Sequence, residues 1–253
     1  SSLRRVSASV PVERAEAARA LMLELFPEGF EELDHPDGLE LVAYTDDAGE
    51  ERLWAAFGEV AADDVPAGWE ERWREFHRPV RVGNLWIGPP WETPPADAEA
   101  IVVDPGRAFG TGGHATTRLC LQLLADLERG SLLDVGCGSG VLAIAAARLG
   151  FAPVVALDHD PSALEATRRN AEVNGATIDC RLADAFTDPL PSVDVTIANI
   201  SAEAAEQVGP LVAAATLITS GYLEQDAPAP TGFRHERRAT EGGWAADVFG
   251  REE

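Results

Sequence analysis

The chain has 253 residues, 45% hydrophobic and 25% charged, with a net charge of -23 carried against 20 arginines and no lysine. That is enough for one large domain or a medium and a small one, and it excludes a catalytic lysine or Schiff base. Such acidity disfavours phosphate backbones, and it either attracts a basic protein partner or only keeps the protein soluble, while Cys120, Cys137 and Cys180, without CxxC spacing, argue against a disulfide framework or zinc site. No stretch approaches the ~20 apolar residues of a membrane span. The opening SSLRRVSASVPVERAEAARA lacks the apolar run of a signal peptide, so a cytoplasmic protein is expected.

In chain order, residues 3–10 predict a strand and VERAEAARALMLELF a helix with apolar positions at helical spacing. GFEELD and LELVAYTD predict two short strands around the turn HPDG. EERLWAAFG reads as a second helix and AADDVPAG as a polar break. This order suggests a small N-terminal α+β unit of ferredoxin-like type over residues 1–65. In GWEERWREFHRPVRVGNLWIGPPWETPP, Trp69, Trp73 and Phe76 share one face of a helix that stops before Pro79. Strand-like VRVGNLWI and a proline-rich stretch follow, so residues 66–95 read as a connector.

Over residues 96–253 strands alternate with helices. IVVDP, SLLDVG, PVVALD, TIDCRLAD, VDVTIAN and ATLITSGY are the strand candidates. TTRLCLQLLADLE, VLAIAAARLG, PSALEATRRNAEVNG and AEAAEQVGPLV are the helices between them. The alternation predicts a mostly parallel sheet covered on both faces. FRHERRATE and GWAADVFG look like a closing antiparallel hairpin.

LLDVGCGSGVLAIAAA joins an apolar strand containing an acid to a glycine turn and a helical run. Gly136, Gly138 and Gly140 let such a turn pass beneath a ligand and pack against the helix, although a tight turn without a ligand is the plainer alternative. Asp158, about twenty residues further on, ends the next strand where a carboxylate accepts hydrogen bonds from ribose hydroxyls. Asp160, before Pro161, is the better helix cap. Dinucleotide enzymes place GxGxxG here; this chain has GxGxG followed by Val141. Asp134, two residues before the first glycine, is poorly placed for phosphates and well placed for a cationic amino group. A ligand with a ribose at one end and an amino-acid ammonium at the other is S-adenosylmethionine. DVGCGSG therefore resembles the signature of the class I methyltransferases.

In that superfamily the end of the fourth strand, here VDVTIANISAE, presents groups to the methyl acceptor. Enzymes acting on planar nitrogens carry an aromatic there, but Asn199 is followed by Ile200, Ser201 and Ala202. An aliphatic amine needs no aromatic, so Asn199 is the candidate catalytic residue, with a strand-end turn residue as the alternative.

FGTGGHATT, residues 109–117, stands ahead of DVGCGSG, with ANISAE downstream, and together they resemble the PrmA family of ribosomal protein methyltransferases. The likeness extends to the tryptophan-bearing connector, to DPGRAFGTGGHATTRLCLQLL and to LITSGYLEQ. It implies a Rossmann-like class I methyltransferase domain behind a small N-terminal recognition domain. By that resemblance S-adenosylmethionine is gripped between the two glycine-rich stretches. Phe109 and Thr111 would enclose it, Thr117 and Asn199 would contact it, and Asp134, Gly136, Gly138 and Asp158 would complete the site. His114 stays open between a core histidine and an active-site group. The expected reaction is methyl transfer to lysine side chains and the N-terminal amine of a basic large-subunit ribosomal protein, by a monomer that binds neither membrane nor nucleic acid directly. Rival readings are the same chemistry on another protein or a small amine, a non-catalytic binding module, and a dinucleotide oxidoreductase. Only EQDAPAPTG stands where the family has a long helix after its fifth strand.

Overall fold

The computed structural model describes residues 4–11, 14–26, 30–35, 38–64, 79–104 and 115–252. The chain divides into two compact units, Ser1–Phe76 and His77–Glu253. The helix expected around Trp69, Trp73 and Phe76 and the loop carrying Phe109, Thr111 and His114 lie outside the described residues.

The first unit runs β1 (Arg4–Val10), α1 (Ala15–Leu25), β2 (Glu31–His35), β3 (Gly38–Thr45), α2 (Asp47–Phe57) and β4 (Ala61–Asp64). Its sheet has the order β2-β3-β1-β4 with every pairing antiparallel. Val6, Ala8 and Val10 alternate along β1 into a core completed by Ala15, Ala18 and Met22 of α1, the two periodicities of strand and helix meeting. Asp46 caps α2 by accepting from the Gly49 amide at 3.2 Å. Gly58 ends that helix at φ 75°. AADD is not the polar break expected of it. Two alanines and two acids carry little strand propensity, but β1 offers an open edge and backbone pairing overrides propensity. The register sets Arg5 opposite Asp63, an opposite-charge pair.

The second unit begins with a three-stranded sheet of β5 (Val80–Val82), β6 (Leu85–Gly88) and β7 (Glu99–Val102). VRVGNLWI is therefore a hairpin and not one strand: Gly83, at φ 57°, turns the chain between two antiparallel strands. IVVDP was expected in the large parallel sheet, but it pairs with β6 instead. The central strand of the large sheet already has a partner along each edge.

That large sheet contains β8 (Leu132–Val135), β9 (Val154–Asp158), β10 (Asp179–Leu182), β11 (Ser192–Asn199), β12 (Ala213–Leu223), β13 (Phe233–Glu241) and β14 (Trp244–Arg251). The helices are α3 (Ala115–Ala125), α4 (Val141–Leu149), α5 (Pro161–Val173) and α6 (Ala202–Val208). The strand order is β10-β9-β8-β11-β12-β14-β13. β8 to β12 pair in parallel, and β14 inserts antiparallel between β12 and β13. Strands β8 and β9 are buried along their whole length, as a sheet covered on both faces demands. Chain order reverses between β8 and β11, which opens a crevice at the carboxyl ends of these two strands. No helix lies between β12 and β13, so the expected shortening is real.

Candidate active site

The turn after β8 is shaped by three glycines in the left-handed region: Gly136 at φ 71°, Gly138 at 54° and Gly140 at 81°. The amides of Gly136 and Cys137 donate to the Leu157 carbonyl at 2.9 and 3.1 Å, which ties the turn to the end of β9. A side chain at Gly140 would put a Cβ 2.7 Å from Thr167, so glycine is required for space as well as conformation. Thr167 Oγ1 donates in turn to the Gly138 carbonyl at 3.0 Å.

Asp158 is 7% exposed at the tip of β9. Its Oδ2 accepts from the Gly138 amide at 3.1 Å and its Oδ1 from the Asp160 amide at 3.0 Å. One carboxylate thus holds the glycine turn and marks the end of the second strand. Asp160 caps α5, accepting from the Ser162 amide at 2.8 Å, which is the cap role expected of it.

Asp134 lies behind the turn, 1% exposed, with Oδ2 accepting from the Ala143 amide of α4 at 3.1 Å. Burial lifts its carboxyl to about 7; the Ala143 bond opposes this and the nearby Asp158 charge adds to it. Thr117 is buried in the first turn of α3. Cys120, one helical turn further on, is buried as well, and burial together with the Asp134 charge pushes its thiol up and keeps it inert.

Asn199 closes β11. Its Oδ1 is buried and has no hydrogen-bond partner among the described residues. A turn residue would satisfy that oxygen on its own backbone, but the capping role belongs to Ser201, whose side chain accepts from the Ala204 amide at 3.3 Å. The Ile200 amide donates to the Ser220 carbonyl at 2.8 Å, and a Cβ on Gly221 would lie 2.0 Å from the Ile200 oxygen. The Asn199–Ser201 turn is therefore clamped against the end of β12. The structure also adds a turn that the sequence reading missed. The Ala183 amide donates to the Asp158 carbonyl at 3.0 Å, Asp184 Oδ1 accepts from the Phe186 amide at 2.9 Å, and the Phe186 ring is 43% exposed. An acid and an aromatic straight after the third strand, DAF, was the available signal.

A doubly wound sheet with an antiparallel strand inserted near its edge, a GxGxG turn after its first strand and an acid ending its second define a Rossmann-like class I methyltransferase. The sequence matches the family described as ribosomal protein L11 methyltransferase (PrmA) over residues 40–252. The ribosomal protein L11 methyltransferase of Legionella pneumophila (strain Philadelphia 1) is 43% identical over 202 residues, 72% of this chain and 68% of that protein. That of Aeromonas hydrophila is 42% identical over 170 residues, 63% of this chain and 58% of that protein. The crystal structure of ribosomal protein L11 methylase from Lactobacillus delbrueckii subsp. bulgaricus superposes with a TM-score of 0.62 at 29% identity. It covers 70% of this chain and 100% of that one. The chain belongs to the ribosomal protein L11 methyltransferase family.

Proposed function

We propose that the protein methylates lysine side-chain and N-terminal amines of ribosomal protein L11, with S-adenosylmethionine held across the crevice between β8 and β11. The observation that carries this reading is the buried, unpartnered Oδ1 of Asn199 at the end of the fourth strand. A buried carbonyl oxygen without a partner costs about 1–3 kcal/mol, and an amine N–H of the acceptor would satisfy it. S-adenosylmethionine supplies the electrophilic methyl group. The chain's own part is to hold the ribose with Asp158 and to pass the Gly136–Gly140 backbone beneath the donor. Asp134 places negative charge behind the donor's ammonium, and Asn199 orients the acceptor. By the family resemblance Thr117, with Phe109 and Thr111, would complete the enclosure.

The acceptor must arrive as a free amine. For lysine at neutral pH this costs about 4–5 kcal/mol, and for an N-terminal amine about 1 kcal/mol. Both are small enough for the proton to leave to water, so the site needs positioning more than a general base. The first compact unit is assigned target selection, and the charge of -23 suits a basic protein. The same reading makes the protein a cytoplasmic monomer. Among the described residues, no helix is long and apolar enough to cross a membrane, and no cluster of His, Cys, Asp and Glu could hold a metal.

The deciding experiment incubates the full-length protein with labelled S-adenosylmethionine and ribosomal extract lacking the modification. Label should appear on ribosomal protein L11, whereas label on another protein would move the target and none at all would remove the activity. Calorimetry should show binding of S-adenosylmethionine and none of NAD.

Two further results are expected at the donor site. Asp158→Ala should weaken S-adenosylmethionine binding by about 1–3 kcal/mol, because it removes charge-assisted bonds to the ribose and frees the Gly138 amide. An unchanged dissociation constant would place the ribose elsewhere. Donor affinity should also rise with pH around neutrality. A cationic ligand favours ionised Asp134, and with the carboxyl at about 7 a proton must be expelled below that value. Affinity should therefore fall about tenfold for each pH unit below about 6 and level off above about 8. Asp134→Asn should bind more weakly and flatten the profile; a flat wild-type profile would exclude Asp134 from the linkage.

A further inference from the structure

Helix α5 turns a polar face inward where its spacing would ordinarily supply apolar side chains. Thr167, Asn170 and Asn174 are 0%, 3% and 8% exposed, and they stand at i, i+3 and i+7 on that face. Each is satisfied by backbone from another part of the second unit. Thr167 holds the Gly138 carbonyl. Asn174 grips Val102 at both ends, with Oδ1 accepting from its amide at 2.8 Å and Nδ2 donating to its carbonyl at 2.7 Å. Asn170 does both tasks with one side chain. Its Nδ2 donates to the Ser139 carbonyl at 2.9 Å, and its Oδ1 accepts from the Asp104 amide at 3.1 Å.

We propose that Asn170 is a positioning residue for the methyl-donor site, fixing the GCGSG turn and the chain leaving β7 against each other through one buried amide. The inference rests on the donor site proposed above. Asn170 acts through backbone and touches no reacting atom. Holding the Ser139 carbonyl fixes the peptide planes between Gly138 and Gly140, whose left-handed dihedrals otherwise leave the turn free to rotate. Holding the Asp104 amide fixes the start of the segment that runs on in sequence to FGTGGHATT. The GCGSG turn and the chain leaving β7 thereby take their spacing from a single rigid helix. An apolar residue would fill the same volume but remove the buried donor to the Ser139 carbonyl and the acceptor of the Asp104 amide. Rigid support of this kind is what keeps a binding loop in its productive geometry.

The test uses the full-length protein and hydrogen exchange, calorimetry and steady-state kinetics on Asn170→Ala, Asn170→Asp and Asn174→Ala. Asn170→Ala should speed exchange in peptides covering 136–143 and in those covering 99–104 together. It should weaken S-adenosylmethionine binding about tenfold and leave KM for the protein acceptor within about twofold. Asn170→Asp keeps the volume and the acceptor for Asp104, so it should loosen residues 136–143 alone; it also serves if the alanine variant does not fold. Asn174→Ala loses a comparable pair of buried bonds, yet should loosen only residues 99–104 and hold donor affinity within about twofold. Equal loss of affinity in Asn170→Ala and Asn174→Ala, or unchanged affinity in both Asn170 variants, overturns the proposal. If the wild-type protein itself fails to bind S-adenosylmethionine, the donor-site reading falls and the exchange pattern alone decides. Coupled loosening then supports the positioning role, and loosening confined to α5 overturns it.

Discussion

Replacing Asp247 by alanine is expected to destabilise the second unit by about 3–5 kcal/mol, the cost of breaking a buried ion pair from one side. Asp247 is 0% exposed on β14, and its carboxylate is hydrogen-bonded by Arg238, Tyr222 and His235. Arg238 reaches it with a two-pronged contact, Nε to Oδ1 and Nη2 to Oδ2, both at 2.8 Å. The Tyr222 hydroxyl donates to Oδ2 at 2.8 Å, and His235 Nε2 lies 2.7 Å from Oδ1. Alanine would leave a guanidinium and a phenol facing each other without the charge that joins them. Arg238 keeps its bonds to the Glu224 and Asp226 carbonyls and is partly exposed, which sets the expectation toward the lower end of the range. Set against a typical total of ~5–15 kcal/mol, the loss should be plain in urea unfolding. Burial alone would raise this carboxyl, but the bonds from Arg238, Tyr222 and His235 prevail and hold it below the ordinary carboxylate range. Its contribution is therefore present above the unfolded value near pH 4 and is lost as pH falls through the lower folded value. The gap between wild type and Asp247→Asn should persist at neutral pH and narrow only in acid. A variant within about 1 kcal/mol of wild type would show that the cluster adds nothing beyond its solvated parts.

Gly221→Ala is expected to lower kcat at least about a hundredfold, the order of loss that a displacement of about 1 Å produces at a reacting centre. Gly221 sits at φ +100°, where an L side chain is strained, and its Cβ would meet the Ile200 carbonyl oxygen at 2.0 Å. Backbone on both sides must part, and the segment that yields carries Asn199. The left-handed conformation adds about 1–2 kcal/mol of strain. Donor binding at GCGSG should suffer much less, so calorimetry with S-adenosylmethionine separates the two ends of the site. A variant with wild-type kcat would mean that the Asn199 turn tolerates displacement and does not orient the acceptor.

The elements of the second unit were legible because strand and helix periods differ. LLDV and VVALD are unbroken apolar runs, and PSALEATRRNAEV carries helical spacing behind an Asp-Pro cap. The donor turn was legible because glycines in the left-handed region have few substitutes, and Asp158 because its distance from them is set by one helix and one strand. AADD and IVVDP were misread for a shared reason: a strand exists by virtue of its partner. AADD became β4 because β1 had a free edge, and IVVDP left the large sheet because β8 had none.

The sequence by itself determined the doubly wound order of elements, the glycine turn, the acid that ends the second strand of the large sheet and the asparagine of ANISAE. Local chemistry suffices for each, since each depends on residue type at short spacing. Tertiary structure alone decided which polar groups were spent and which were spare. Ser201 took the cap and left Asn199 Oδ1 unpartnered, and burial made Asp134 a carboxyl poised at about 7. Asn170, one polar residue among many on an amphipathic helix, became the joint between two segments. Hydrogen-bond satisfaction and desolvation depend on neighbours 31 to 66 residues distant along the chain, and no local pattern encodes them.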